Sequence, residues 1–205
     1  MTKQELLKTH FGYDTFREGQ EAVIDALLAG KDVLAVMPTG AGKSICYQVP
    51  ALMMKGITLV ISPLISLMKD QVRSLNQVGI SAAYLNSSLT QGQYFTALRY
   101  AKAGRYPIIY VAPERLTTEA FLDFALSADI SMIAVDESHC VSQWGQDFRP
   151  SYLKIAEFVA QLPKRSVHLQ LQPRRRSGRI LQDFWGFRIP FAQPQDLTGK
   201  TFILQ

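Results

Sequence analysis

The sequence predicts a parallel α/β sheet flanked by helices, and three observations carry that prediction. Apolar runs rich in β-branched residues recur at Val33 to Met37, Thr58 to Ile61, Ala82 to Leu85, Ile108 to Ala112 and Met132 to Val135. These runs are continuous rather than alternating, as strands covered on both faces require. The segments between them have helix-like patterning and enough length for crossover helices, over Gly19 to Leu28, Lys43 to Met54, Ile65 to Val78, Thr90 to Ala103, Thr118 to Ser127 and Tyr152 to Gln161. No internal repeat is present.

Length and composition bound the rest. With 205 residues, 47% of them hydrophobic, the chain buries one substantial core and has no room for two full catalytic domains. Met1 to His10 is polar and helix-favouring, and no later run approaches the length of a membrane span. Neither export nor membrane insertion is expected, and the expected location is cytoplasmic. The two cysteines, Cys46 and Cys140, stand in no Cys-x-x-Cys or Cys/His ligand spacing, which speaks against disulfide and zinc roles. The formal charge of +5 is uneven: residues 166–205 hold six basic side chains against two acidic ones, leaving +1 for the rest. A basic balance usually points to nucleic acid, but here it resides in one terminal stretch.

The strand at Val33 to Met37 runs into Pro38-Thr39-Gly40-Ala41-Gly42-Lys43-Ser44, and a helix pattern follows. This is the strand, loop and helix context of a phosphate-binding loop. Gly40 and Gly42 leave backbone amides open to a triphosphate, and the helix start favours anions. Lys43 reaches the terminal phosphates, and Ser44 supplies a hydroxyl for magnesium. The pattern departs at its opening glycine, where Met37 stands. A second buried strand, Met132 to Val135, delivers Asp136-Glu137-Ser138-His139. Asp136 is placed to hold magnesium through water and Glu137 to orient or deprotonate the attacking water, so ATP and magnesium are the expected cofactors. Read without the phosphate loop, two carboxylates after an apolar strand would simply be favourable charges at a helix start.

Several motifs in fixed order narrow the reading. Asp136-Glu137-Ser138-His139 resembles the Asp-Glu-x-His box of the second helicase superfamily, and the segments around it resemble the RecQ family of DNA helicases. Phe11-Gly12-Tyr13 and Phe16-Arg17-Glu18-Gly19-Gln20 look like that family's adenine-recognition motif. The resemblance implies that Tyr13 stacks on the base, Gln20 reads its edge with both amide groups, and Arg17 supports the nucleotide. Taken alone, Phe16 and Tyr13 read equally well as core residues. Ser62 to Gln71 resembles the first DNA-contacting motif, and Tyr110-Val111-Ala112-Pro113-Glu114-Arg115 the next. Cys140 to Pro150 is similar to the aromatic-rich RecQ loop that senses single-stranded DNA and couples it to hydrolysis, with Trp144, Phe148 and Arg149 at its centre. Apart from the acidic box, Trp144 and Phe148 would as readily be core anchors. The missing opening glycine fits a helicase phosphate loop.

The resemblance covers residues 1 to about 165. It implies a RecA-like lobe of an ATP-dependent 3′-to-5′ DNA helicase of repair and recombination, with single-stranded or duplex DNA as partner. Beyond Lys164-Arg165 the family pattern calls for a buried strand and a Thr-Ala-Thr-rich coupling motif; Ser166 to Arg176 stands there instead. Val167 to Gln172 alternates apolar with polar, which suits a half-exposed edge strand. Residues 166–205 are therefore expected to be a basic tail outside the family pattern, for which composition leaves open a segment without order of its own and an ordinary surface extension. It would leave a core position and a sheet edge uncovered. The abrupt change into Gln, Arg, Leu and Pro is that of a shifted reading frame, which an intact Thr-Ala-Thr motif in another frame of the gene would reveal. The family's second lobe with its arginine finger, its zinc module and its winged helix are not represented in these residues. A non-enzymatic nucleic-acid or partner-binding module, and a destabilised fragment without function, are the competing readings.

Overall fold

The structure is a computed structural model that describes residues 1–38, 40–136, 154–164, 166–172 and 201–204. The chain opens with helix α1 (Lys3–Phe11), which a capping box begins: the Thr2 hydroxyl accepts from the Glu5 amide and the Glu5 carboxylate from the Thr2 amide. Helix α2 (Gln20–Leu28) leads to strand β1 (Asp32–Val36), and helix α3 (Ile45–Met53) to β2 (Ile57–Ile61). There follow α4 (Ile65–Gln77), β3 (Ala82–Leu85), α5 (Gln91–Lys102) and β4 (Ile108–Val111). Next come α6 (Glu119–Ser127), β5 (Ile130–Val135), α7 (Lys154–Gln161), β6 (Val167–Gln172) and β7 (Thr201–Leu204).

The strands form one seven-stranded sheet in the order β3-β4-β2-β5-β6-β1-β7. The first six run parallel, and β7 lies antiparallel along β1. The continuous apolar runs follow from burial on both faces. Val33, Ala35, Val60 and Ala134 meet Val23 and Leu27 of α2, Tyr47 of α3 and Met68 and Val72 of α4. Their strand neighbours Leu59, Ile61, Ile133 and Val135 meet Leu98 of α5, Phe121 and Phe124 of α6 and Phe158 of α7. The result is a RecA-like sheet between two helical layers, as the sequence predicts. No helix among the described residues is long and apolar enough to cross a membrane.

One expectation is corrected. Val167 to Gln172 is not an edge strand but an interior one, paired with β5 through Ala134↔Leu169 and with β1 through Val33↔Leu169. Leu169 and Leu171 are fully buried in the core that faces α2 and α3. The alternation identifies which side of the strand is apolar, but not its place in the sheet, because the polar side here is also enclosed. Gln170 is 4% exposed, and the His168 amide donates to the Asp32 carboxylate at 2.9 Å while its ring meets the Ser166 hydroxyl at 3.2 Å. Partnered in this way, polar side chains are accepted in a strand interior. The core position expected to lie open is filled by β6, and β7 covers the edge of β1.

Candidate nucleotide site

The site lies at the carboxyl ends of β1 and β5, which flank β6 in the sheet, where ligands of open parallel sheets bind. Met37, at the position where a glycine opens the usual pattern, is buried and touches Cys46 across 3.7 Å between sulfurs. A long apolar side chain here anchors the start of the loop in the core. Burial pushes the Cys46 thiol up to about 12, so it carries no nucleophilic thiolate at neutral pH.

The loop is then held from outside by the segment before α2. The Gln20 side-chain amide donates to the carbonyls of Ala41 and Gly42, each at 3.0 Å, while its oxygen accepts from the Arg17 amide at 2.8 Å. The Arg17 guanidinium donates to the Gly40 carbonyl at 2.6 Å. Gly42 has to be glycine on two counts: its φ is +74°, and a Cβ there would stand 2.6 Å from the Gln20 nitrogen. Tyr13 is half exposed with the Arg17 guanidinium 6.0 Å from its ring centre, whereas Phe16 packs beside Leu7, Ile24, Ile45 and Val49. Of these two aromatics, the structure makes Phe16 the core residue and leaves Tyr13 available to a ligand.

Tyr13, Arg17, Gln20, Gly42 and Ser44 line one cavity of about 340 Å³. It is also lined by Gln71, Ser74 and Leu75 of α4, by Val78 at that helix's C-cap, and by Gln48. Of these residues the sequence singles out only Gln71, within a segment resembling a DNA-contacting motif; the helical spacing from Gln71 through Leu75 to Val78 is the signal for the rest. Ser44 stands at the start of α3 and Asp136 just past β5, with the Asp136 amide extending the ladder to the Ile61 carbonyl at 2.9 Å. A hydroxyl and a carboxylate form a hard oxygen donor set, which fits magnesium.

The two segments resembling DNA motifs emerge at the carboxyl ends of β2 and β4, on the same end of the parallel sheet. Ser62 is 1% exposed and its hydroxyl has no hydrogen-bond partner among the described residues, so it faces the interior; Leu64, Ser66, Lys69 and Asp70 are the exposed members. Gln71 likewise turns inward, accepting from the Gln48 amide at 3.0 Å. Thr39, Glu137, Ser138, His139, Trp144, Phe148 and Arg149 lie outside the described residues.

Comparison with known proteins agrees with this geometry. A family model described as DEAD/DEAH box helicase matches residues 17–172. The chain is 48% identical over 169 residues to the ATP-dependent DNA helicase RecQ of Bacillus subtilis, covering 82% of this chain and 29% of that protein. It is 50% identical over 162 residues to RecQ of Haemophilus influenzae, covering 79% and 26%. The chain thus spans under a third of the curated relatives it matches. Among solved structures, a hypothetical ATP-dependent RNA helicase from Sulfolobus tokodaii superposes with a TM-score of 0.69 at 20% identity, covering 89% of this chain and 54% of that one. That likeness shows the RecA-like helicase fold. With its family model spanning the phosphate loop, the acidic strand and the interior strand β6, the chain belongs to the DEAD/DEAH box helicases and resembles their RecQ members in sequence.

Proposed function

We propose that this chain is the ATP-binding lobe of an ATP-dependent DNA helicase of the RecQ kind. Residues 1–165 carry its nucleotide site, and the strand after them is folded into the same sheet. Tyr13, Arg17 and Gln20 receive the adenine, Thr39 to Ser44 the phosphates, and Ser44 with Asp136 the magnesium; Glu137 orients the attacking water. Trp144, Phe148 and Arg149, with Ser62 and Gln71 behind the surface, link nucleotide to DNA. As a DNA-acting enzyme it would work in the cytoplasm, at the nucleoid if its source is bacterial.

The observation that carries this reading is the clamp of Gln20 and Arg17 on the carbonyls of Gly40, Ala41 and Gly42 at the mouth of a cavity that Tyr13 also lines. It joins a place for a base to a place for phosphates. Both N–H groups of the Gln20 amide are given to loop carbonyls, so for the amide to read adenine with donor and acceptor together one of them must pass from the loop to the base, where it would distinguish adenine from guanine. Gln20→Ala is expected to reduce the ratio of ATP to GTP affinity, measured by competition titration. An unchanged ratio would show that Gln20 serves the loop alone.

The 205 residues by themselves are expected to hydrolyse ATP slowly and to unwind nothing. Phosphoryl transfer relies on a cation at the developing charge, and an arginine finger contributes about a thousandfold or more. In this family that arginine comes from a second lobe, and translocation needs two lobes that close in turn on the strand. What DNA affinity there is should come mainly from Arg174, Arg175, Arg176 and Arg179, and fall steeply with salt. A strand-separation assay on a tailed duplex should show no product. Unwinding that Glu137→Gln abolishes would contradict the proposal.

A further inference from the structure

Besides the residues assigned to base and phosphates, the cavity that Tyr13 lines has two glutamines in its wall, Gln48 and Gln71. Gln48 follows Ser44 by one turn of α3, its backbone N–H bonding the Ser44 carbonyl at 2.9 Å, and Gln71 reaches it from α4. The Gln48 side-chain nitrogen donates to the Gln71 oxygen at 3.0 Å and to the Tyr110 hydroxyl at 3.3 Å, and that hydroxyl donates to the Gln71 oxygen at 3.5 Å. Tyr110 is 2% exposed and Gln48 5%, and burial pushes the Tyr110 phenol up to about 12, so it stays a neutral hydroxyl. Buried amides cost free energy unless they are paired. Here a closed triangle of bonds fixes both amides from the core side.

The triangle uses one polar atom of each amide. The other two, the Gln71 nitrogen and the Gln48 oxygen, have no hydrogen-bond partner among the described residues, and neither is sealed from solvent. Both residues line the cavity, so together they offer it one donor and one acceptor. Turning both amides over keeps all three bonds of the triangle, with Tyr110 then donating to Gln48, and still leaves one donor and one acceptor. A ligand group that fits this wall must therefore suit either arrangement. A base edge has its donors and acceptors in fixed places, and a phosphate only accepts. A hydroxyl both donates and accepts, so two adjacent hydroxyls match the pair in either order.

Position agrees with this chemistry. Tyr13 and Arg17 line the cavity where the base is proposed to lie, Gly42 and Ser44 where the phosphates are, and in a nucleoside triphosphate the sugar joins the two. We propose, resting on the nucleotide reading above, that Gln48 and Gln71 are specificity-determining residues for the sugar, binding a ribonucleotide through its vicinal 2′- and 3′-hydroxyls. Tyr110 is the positioning residue, because it bonds both amides from behind.

The test is the binding of ATP, 2′-deoxy-ATP and 3′-deoxy-ATP to the full chain with magnesium, measured by isothermal titration calorimetry. Wild type is expected to bind ATP about threefold to tenfold more tightly than either deoxy analogue, the usual worth of one hydrogen bond between neutral groups. Gln71→Leu fills the same space without an amide. It should weaken ATP and bring both ratios close to one, while Tyr110→Phe should shrink them partway. Equal affinity of wild type for all three nucleotides overturns the proposal. So does a folded Gln71→Leu variant that keeps the wild-type ratios, whether or not it weakens all three alike, since that would mark a merely structural role. If Gln71→Leu does not fold, Tyr110→Phe decides: smaller ratios support the sugar wall, and unchanged ones overturn it. Failure of the nucleotide reading looks different, because wild type then binds no ATP at all and this proposal falls with it.

Discussion

Leu169→Ala is expected to destabilise the folded chain by about 2–5 kcal/mol, the usual range for truncating a leucine in a closely packed core. Leu169 is fully buried on β6, with Val33 of β1 on one side and Ala134 of β5 on the other. Both neighbours are small or β-branched and held by their own ladders, so the cavity left behind has little means of collapsing. In a domain with a total stability of about 5–15 kcal/mol this is a large fraction, and it should lower Tm by on the order of 10 °C. Urea unfolding of wild type and variant reads the effect directly. Were residues 167–172 a peripheral tail, the change would stay within about 0.5 kcal/mol, as surface substitutions do. The comparison therefore decides whether this strand completes the sheet.

That strand also marks the limit of what the sequence discloses. The five apolar runs were legible as strands because apolar residues occupy both sides of each, and the structure places all five in the sheet, four in its interior and β3 at its edge with Ala83 and Tyr84 only half-buried. Val167 to Gln172 has leucine and valine on one side only, and its place between β1 and β5 depends on long-range pairing that no local pattern encodes. His168 is accepted there because Asp32, 136 residues earlier in the chain, supplies a carboxylate to its amide. The phosphate loop was legible for the opposite reason: Gly40, Gly42, Lys43 and Ser44 have a fixed spacing imposed by the phosphates themselves. The grip of Gln20 on that loop, and the buried group of Tyr47, Gln48, Gln71 and Tyr110, come from residues that only tertiary packing brings together. A tyrosine within an apolar run looks like core until a partner for its hydroxyl is known.

The largest functional effect is expected at Lys43. It follows Gly42 just ahead of α3, where on the proposed reading the ammonium and the helix-terminal amides would act on the same phosphates. A ligand that binds only the folded chain raises stability by about 2.7 kcal/mol at a hundred times its dissociation constant, and by about 4.1 kcal/mol at a thousand times. Lys43→Ala removes the cation nearest the terminal phosphates and should remove most of that gain, while leaving the ligand-free Tm close to wild type. The most direct measurement of the account is therefore a thermal-unfolding titration with ATP and magnesium on the two proteins side by side. The nucleotide-binding lobe predicts a Tm that climbs with ligand concentration in wild type and stays flat in Lys43→Ala; the same climb in both, or none in either, would contradict it.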